Sequence, residues 1–264
     1  MNKWRIHASA IIDETADIDP EAIVGPFCMV GEGVRIGAGT VLHPNVHVLE
    51  NTSIGRNCQI YSGAVLGGAP QDTKYAGEKS FVQIGDNNIL RECVTVHRAT
   101  GEGATTCIGD DNMLMAYSHV GHNSLVGNNI TIASYGGVSG YVTIEDGANL
   151  GGNCGIHQFC SIGTLSMVGG MSGVLEDVPP YMMVMGIPAK VIEINARGLR
   201  RANISPKARG ELRQAYKLLY RAGLNRSQAL EAITEEIETS PELEHLIKFI
   251  KNSREGSSGR KNQH

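Results

Sequence analysis

The sequence predicts a mainly β protein, a parallel β-helix of six-residue repeats followed by a cap of α-helices. The main observation is that 26 of the 29 positions between 6 and 174 that are divisible by six hold an aliphatic residue. A period of six matches neither a 3.6-residue helix nor the two-residue alternation of an ordinary strand. After Val174 this period disappears and helix-start signals take its place.

Each six-residue repeat is predicted to form one side of a triangular coil. Its aliphatic residue fills the interior, and the residue four places later is usually small enough to fit beside it, as at Ala22, Cys28, Ala64 and Ser118. Glycine often follows the aliphatic residue directly, where it tolerates the bend between two sides. Three repeats make one coil, so residues 6–174 correspond to between nine and ten coils.

Three positions break the aliphatic rule, and they are Asp72, Glu78 and Glu102. They fall in residues 67–83 and 97–107, which keep the spacing of six but lose the aliphatic side chains. We expect both stretches to leave the prism as loops. Loops on a rigid scaffold often carry function, although a tolerated insertion fits the spacing equally well.

The C-terminal part shows helical periodicity. Ser205 and Ser240 each precede a proline, an arrangement typical of a helix N-terminus. Apolar stripes at helical spacing predict three helices, at 205–222, 227–238 and 240–252. The chain is therefore divided into a β-helix domain at 1–190, an α-helical domain at 191–253 and a disordered tail at 254–264.

Composition narrows the possible partners and the compartment. The net charge of −4 argues against general nucleic-acid binding, and no apolar run is long enough to span a membrane. No secretory signal opens the chain. Four of the six cysteines occupy the small-residue position of the repeat, which indicates core thiols rather than metal ligands or disulfides. A reducing compartment follows, and we expect the cytoplasm.

Histidines form the first candidate site. His97 and His157 directly follow aliphatic positions of the repeat, and His119 and His122 flank Val120 and Gly121. His122 is two places past Val120, so it is expected outside the aliphatic interior or at a corner. An imidazole there can act as a general base near neutral pH, although isolated surface histidines are usually inert.

The basic segment from Gly198 to Arg201 forms the second candidate site. Its adjacent guanidinium groups, Arg200 and Arg201, suit the binding of a phosphate or diphosphate. A solvated basic turn without a ligand explains the same residues.

Several short motifs make the chain similar to a known enzyme family. It resembles the UDP-N-acetylglucosamine acyltransferases that begin lipid A synthesis, which are left-handed parallel β-helix enzymes that work as trimers. The motifs are GPFCMVG (25–31), QDTKYAGE (71–78), RECVTVHRAT (91–100), SHVGHNSLVG (118–127), HQFCSIG (157–163), MVGGMSG (167–173), DVPPY (177–181), GLRR (198–201) and AYKLLYRAG (215–223).

The resemblance implies transfer of an (R)-3-hydroxyacyl chain from acyl carrier protein to the 3-position of UDP-N-acetylglucosamine, by a homotrimer. It implies that His122 is the general base, that the Gly140 N–H receives the oxyanion and that Gly170 limits acyl-chain length. It implies substrate contacts at Asp72, Lys74, His119, Tyr141, His157, Gln158, Asn195 and Arg201, the last two near the uridine diphosphate. No metal or bound cofactor is expected, because the thioester is already activated.

Three residues depart from the pattern of this family. Asn123 stands where an aspartate usually accompanies the catalytic histidine, Tyr141 where a second sugar-contacting histidine is expected, and Arg197 where an acidic residue near the nucleoside is expected. Two of these positions surround the acceptor sugar. We therefore hypothesise an altered acceptor, the 3-amino analogue of the sugar.

Three other functions fit parts of the sequence. A metal hydratase of the γ-carbonic-anhydrase type would use His97, His119 and His122 as ligands. An acetyl-CoA-dependent hexapeptide acetyltransferase would need no carrier protein. A scaffold without catalysis would need none of the histidines.

Overall fold

The computed structural model describes residues 5–253, 259–260 and 262–263. Most of the chain forms short strands. In chain order they are β1 (Ile11–Ile12), β2 (Asp17–Ile18), β3 (Ile23–Val24), β4 (Met29–Val30), β5 (Arg35–Ile36), β6 (Val41–Leu42), β7 (His47–Val48), β8 (Thr52–Ile54), β9 (Gln59–Ile60), β10 (Val65–Gly68), β11 (Phe81–Ile84), β12 (Ile89–Leu90), β13 (Thr95–His97), β14 (Thr105–Ile108), β15 (Met113–Leu114), β16 (His119–Val120), β17 (Leu125–Val126), β18 (Thr131–Ile132), β19 (Gly137–Val138), β20 (Thr143–Ile144), β21 (Asn149–Leu150), β22 (Gly155–Ile156), β23 (Ser161–Ile162), β24 (Met167–Val168), β25 (Gly173–Val174), β26 (Met182–Gly186) and β27 (Ala189–Ile194).

The strands form three sheets, which are the three sides of a prism. Face A has the order β27-β26-β24-β21-β18-β15-β12-β9-β6-β3. Face B has the order β1-β4-β7-β10-β13-β16-β19-β22-β25. Face C has the order β2-β5-β8-β11-β14-β17-β20-β23. From β1 to β26, consecutive strands therefore lie on different faces. Every pairing is parallel except that of β26 with β27, which both belong to face A.

The register shows where the chain leaves the prism. In a regular coil Ile11 pairs with Met29, eighteen positions along the chain. Val65 pairs with Thr95, thirty positions along, and Thr95 pairs with His119, twenty-four along. The extra residues form the first excursion (69–80) and the second excursion (98–104). Both are slightly shorter than the sequence predicted, because the residues at the ends of each predicted loop belong to the adjoining strands.

These excursions also explain why the prism is shorter than the sequence suggested. Face B holds nine strands, face C holds eight and face A holds eight before β26 and β27, which is at or below the lower end of the nine to ten coils expected. The two excursions together remove about one coil's length of chain from the stack.

The aliphatic residues at every sixth position, which we call the aliphatic ladder, form the core of the prism. Every ladder aliphatic from Val24 to Val174 is at most 3% exposed, while Ile6 in the first coil is 38% exposed. A first coil has a neighbour on one side only, so it covers its interior less completely. Burial raises the pKa of Cys154 to about 11 and that of Cys160 to about 12, as expected for core thiols.

The C-terminal part contains a hairpin and four helices. The extended stretch after Val174 includes β26 and β27, which extend face A. The helices are α1 (Ala196–Arg201), α2 (Pro206–Tyr220), α3 (Arg226–Glu236) and α4 (Pro241–Asn252). The basic segment Gly198–Arg201 lies in α1, at the entrance to the helical cap. No helix of the described residues is both long and apolar enough to cross a membrane.

The helices pack on a second apolar cluster, which joins them to the prism. Leu199, Leu212 and Leu243 are fully buried there together with Met182 of β26. The predicted disordered tail falls largely outside the described residues. Of the part that the structure does describe, Gly259 accepts a hydrogen bond from the Asp177 N–H.

Candidate active site

A cavity of about 500 Å³ opens on face B, beside the first excursion. Its lining brings together the four histidines that the sequence singled out with Gln158 and Gly140. These residues are His97, His119, His122 and His157. Gln71 of the first excursion also lines it, a contact that the repeat gave no reason to expect.

The strand alternation of face B explains the shape of this cavity. In β16, Val120 points into the core and His119 points outward. His119 is paired with Gly137 in the next strand, and Gly137 with Gly155 in the strand after that. Two successive outward positions therefore carry no side chain, which leaves open space beside the histidines.

His122 lies outside the aliphatic ladder, yet it is only 4% exposed. Its Nδ1 lies 2.9 Å from the Asn123 Oδ1. The Asn123 amide is oriented by the backbone of Thr100, because Oδ1 accepts from the Thr100 N–H at 2.9 Å and Nδ2 donates to the Thr100 carbonyl at 2.9 Å. An amide oxygen can only accept, so Nδ1 of neutral His122 carries the proton and Nε2 keeps its lone pair.

Two glycines keep the other side of the imidazole open. A Cβ at position 140 would lie 2.5 Å from the His122 Nε2. A Cβ at position 121 would lie 2.8 Å from the Gly140 nitrogen. The Gly140 N–H makes no hydrogen bond to another described residue. A lone pair and an unpaired N–H donor therefore lie side by side, as a base and an oxyanion site require.

The first excursion brings a carboxylate to the imidazole. The Asp72 Oδ2 is 3.9 Å from the His122 Nδ1, and the Asp72 Oδ1 accepts from the Lys74 N–H at 3.0 Å. The Lys74 backbone hydrogen bond lowers the pKa of Asp72, so this carboxyl group is ionised at neutral pH. The Lys74 side chain is exposed and does not line the cavity.

The other two interruptions of the repeat join the two excursions. Glu78 accepts hydrogen bonds from the Gly101 N–H and the Ala76 N–H, both at 2.8 Å. Glu102 accepts from the Lys79 N–H at 3.2 Å. These bonds explain why carboxylates occupy positions 78 and 102, where the regular repeat would place aliphatic residues.

His119, His97 and Tyr141, which lie near His122, are uncharged near neutral pH. Burial lowers the pKa of His119 to about 4, and its Nδ1 lies 2.8 Å from the Thr95 Oγ1. Burial also lowers the pKa of His97 and raises that of the Tyr141 hydroxyl. The Tyr141 ring meets that of His122 edge-on at 5.3 Å and stacks on the Phe159 ring at 5.0 Å.

The basic segment lines a second cavity, of about 870 Å³, on face A. Arg197, Arg200 and Arg201 of α1 share its lining with Asn195. The Asn195 side chain is already bonded, because its Oδ1 caps α1 at the Gly198 N–H and its Nδ2 donates to the Leu165 carbonyl.

The structure therefore does not bring all predicted site residues together within one chain. Asn195 and Arg201 lie on face A, whereas His122 lies on face B. Gly170 lies in the turn between β24 and β25, where the prism passes from face A to face B, and does not line the His122 cavity. A Cβ at position 170 would lie 3.3 Å from the Gly152 carbonyl oxygen, which is a tight contact.

Sequence reasoning missed the backbone of Thr100, which orients Asn123. Thr100 lies twenty-three positions before Asn123, and only the stacking of coils brings the two together. The one available signal was the loss of aliphatic residues around Glu102. The metal-hydratase alternative also finds no geometric support, because the described residues contain no group of three or more His, Cys, Asp or Glu side chains that could hold a metal ion.

Two sequence-family models match the chain. Residues 177–258 match domain 2 of UDP-N-acetylglucosamine O-acyltransferase, and residues 33–68 match the bacterial transferase hexapeptide family. An acyl-[acyl-carrier-protein]--UDP-N-acetylglucosamine O-acyltransferase from Gloeothece citriformis is 44% identical over 202 residues, which are 76% of this chain and 73% of that protein.

Solved structures agree with this relationship. LpxA from Acinetobacter baumannii is 44% identical with a TM-score of 0.88, over 92% of this chain and 95% of that chain. LpxA from Bacteroides fragilis, a UDP-N-acetylglucosamine acyltransferase, is 36% identical with a TM-score of 0.92, over 94% of this chain and 97% of that chain. The predicted left-handed parallel β-helix with an α-helical cap is thereby confirmed. On the matches in sequence and in fold, the chain belongs to the UDP-N-acetylglucosamine O-acyltransferase family.

Proposed function

We propose that this chain transfers an (R)-3-hydroxyacyl group from acyl carrier protein to the 3-position of UDP-N-acetylglucosamine or of its 3-amino analogue, the first step of lipid A biosynthesis. The observation that carries the proposal is the His122 imidazole. Its Nδ1 proton is held by Asn123, and its Nε2 lies beside the unpaired Gly140 N–H.

The Nε2 atom of His122 and the N–H group of Gly140 would carry out the chemistry. Nε2 of His122 takes the proton from the acceptor hydroxyl or amine as that atom attacks the thioester carbonyl. The carbonyl oxygen becomes negative and is stabilised by the Gly140 N–H. When the tetrahedral intermediate collapses, the carbon–sulfur bond breaks and Nε2 returns the proton to the departing thiolate.

Residues around His122 would bind the acceptor sugar. The cavity presents polar groups of His119, His157 and Gln158. Asp72 of the first excursion contacts His122, and the exposed Lys74 side chain would contact the sugar from outside the cavity lining. With Asn123 beside the base and Tyr141 against it, an amine acceptor is favoured, because an amine is the better nucleophile and needs less help from a base. Gly170 would admit a long acyl chain at the turn between faces A and B.

The separation of the two cavities supports a homotrimer. Phe27, Tyr117, Tyr135 and Met171 are 53–73% exposed and lie along the corner between faces A and B. Three prisms with this corner inward would bury those side chains and set face A of one copy against face B of the next. Arg201 and Asn195 of one copy would then complete the site around His122 of its neighbour.

Mixing two inactive variants tests the shared site. We expect His122→Ala and Arg201→Ala to be nearly inactive alone at low UDP-sugar concentration. Unfolding and refolding them together should restore part of the activity, because some sites would combine an intact His122 with an intact Arg201. Arg213→Ala, an exposed arginine of α2, is the matched control and should stay active alone. Failure of the mixture to regain activity would argue against a site shared between copies.

We also expect the protein to act in the cytoplasm. All six cysteines are free and four of them are buried. Free thiols suit a reducing compartment.

Mass spectrometry of the reaction product tests the proposed function. The protein would be incubated with a mixture of (R)-3-hydroxyacyl carrier proteins of different chain length and with both UDP sugars in equal amounts. We expect one acylated UDP sugar, with the amide of the 3-amino sugar exceeding the ester. An excess of the ester would remove the altered acceptor but keep the acyl transfer. Absence of any acylated sugar, or equal product from acetyl-CoA alone, would overturn the function.

A further inference from the structure

The negative charge next to His122 comes from the first excursion and not from the neighbouring residue. Position 123 is an asparagine, whose amide oxygen contacts Nδ1 at 2.9 Å but carries no charge. Among the described residues, Asp72 is the one acidic side chain at ion-pair distance from His122. Its Oδ2 is 3.9 Å from the same Nδ1.

We propose that Asp72 is a positioning residue for the general base, whose charge stabilises the imidazolium that His122 forms during acyl transfer. This inference rests on the proposed function. It differs from a contact between Asp72 and the sugar, because the carboxylate acts through His122. The excursion that interrupts the repeat would thereby supply the charge that Asn123 lacks.

The burial of both groups makes this charge effective. The side chain of His122 is 5% exposed and that of Asp72 is 14% exposed. Charges a few ångströms apart interact more strongly when little water lies between them. The Asp72 Oδ1 is held by the Lys74 N–H, so the carboxylate keeps its distance from the imidazole.

No other group facing His122 can take this role. His119 lies on β16, His97 on β13, and Tyr141 follows β19. Burial holds the pKa of both histidines below the ordinary value and that of Tyr141 above it, so all three are neutral near pH 7. Lys74 brings a positive charge, but its side chain is exposed and its backbone N–H is what holds Asp72.

The proton balance does not change under this proposal. Nε2 gains a proton from the acceptor, and the imidazolium then carries protons on both nitrogens. The Nδ1 proton stays between the Asn123 oxygen and the Asp72 carboxylate. Nε2 later gives its proton to the leaving sulfur, and Asp72 remains ionised throughout.

Moving the carboxylate from position 72 to position 123 tests the proposal. Asp72→Asn, Asn123→Asp and the double variant would be compared with the parent in kcat, in KM for the UDP sugar and in kcat/KM across pH. Asp72→Asn should lower kcat about tenfold, as expected for loss of a nearby charge in a partly dry site. It should also move the acid limb of kcat/KM to lower pH, because the protonated imidazole loses its partner.

The double variant is the decisive one. With the carboxylate moved to position 123, kcat should return to within about threefold of the parent, and the acid limb should return toward its original pH. Asp72→Glu, which keeps the charge, should leave the acid limb in place. Asp17→Asn, an exposed aspartate of β2, is the matched control and should change nothing.

Two results would overturn the inference. One is an Asp72→Asn variant that raises KM while the acid limb stays fixed. The other is a double variant no more active than Asp72→Asn. Either result would show that Asp72 contacts the substrate but does not act through His122, and the proposed function would stand. If the parent protein itself showed no acyl transfer, the proposed function would be wrong. Thermal unfolding of each variant confirms that the fold is kept.

Discussion

The regular coils and the interrupted coils of this prism follow different rules. From Val120 to Val174 an aliphatic residue is buried at every sixth position, and strand partners are eighteen positions apart. Between Leu66 and Ile108 the chain leaves the prism twice and places Asp72, Glu78 and Glu102 at positions of the same phase. All three carboxylates accept hydrogen bonds from excursion backbone.

The difference teaches that the aliphatic positions of the repeat carry the stability, whereas the residues between them and the excursions carry the chemistry. Aliphatic positions hold the stack together, and their loss releases a loop that can reach the neighbouring surface. The insertions lengthen the coils by twelve and six residues, which are multiples of the repeat, so the ladder resumes in the same frame at Ile84 and Ile108. The excursions therefore add groups around His122 without disturbing the core below them.

The largest expected effect separates chemistry from stability at His122. His122→Ala should lower the acyl-transfer rate by about 10²- to 10⁴-fold, the usual contribution of a general base. Its unfolding midpoint should stay close to that of the parent, since the imidazole is not part of the ladder. His47→Ala, on the same face but three strands away, is the control. A variant that kept most of its activity would assign the base to another residue.

The converse change is made in the ladder. Leu114→Ala removes a fully buried side chain of β15 and should lower the free energy of unfolding by about 2–5 kcal/mol. Turnover per folded molecule should change little. Leu125→Ala, half exposed on β17, should change stability by less than about 0.5 kcal/mol. Denaturant titration measures both, and equal losses in the two variants would contradict the role given to the ladder.

A change at Glu78 loosens the excursions without touching the core. Glu78→Ala removes the carboxylate that accepts hydrogen bonds from the Gly101 and Ala76 N–H groups. We expect turnover to fall about tenfold, because the loop that carries Asp72 would be closed less often. Global unfolding should hardly move. Glu32→Ala, exposed on a regular coil, is the matched control. Unchanged turnover would show that activity does not require the Glu78 hydrogen bonds between the two excursions.

The pKa of His119 makes the stability of the protein depend on pH. Its pKa is lowered by burial from 6.5 to about 4, so between these values the unfolded chain binds a proton that the folded protein does not. Stability should therefore fall as pH is lowered through this window, by at most about 1.4 kcal/mol per pH unit from this group. His119→Gln should flatten that slope, with Leu125→Ala as a control that leaves it unchanged. If the stability of the parent and that of His119→Gln fell equally with pH, His119 would be protonated in the folded protein.

The fold was largely predictable, because the aliphatic residue at every sixth position identifies the side chain that points into the core on each side of a coil. Positions such as Leu114 and Leu150 could be assigned to the core from spacing alone. The handedness followed only from the resemblance, since an aliphatic ladder fits either hand. The hairpin of β26 and β27 was missed because its sequence has no clear alternation.

The site was predictable in part. The histidines could be grouped because they lie around neighbouring coils. Their environment could not, because it depends on contacts between distant residues. Thr100 orients Asn123 across twenty-three positions, and Asp72 of the first excursion contacts His122 although the two are far apart along the chain. No local pattern encodes these contacts.

Removal of the first excursion tests the division of labour most directly. A variant lacking residues 69–80 joins Gly68 to Phe81 and restores the spacing of six between Leu66 and Ile84. We expect it to fold with a cooperative unfolding transition near that of the parent and to lose acyl transfer by at least about 10²-fold, because the carboxylate and the cover over His122 are gone. A folded variant that retains acyl transfer within about threefold of the parent would contradict the claim that the breaks in the repeat carry the function.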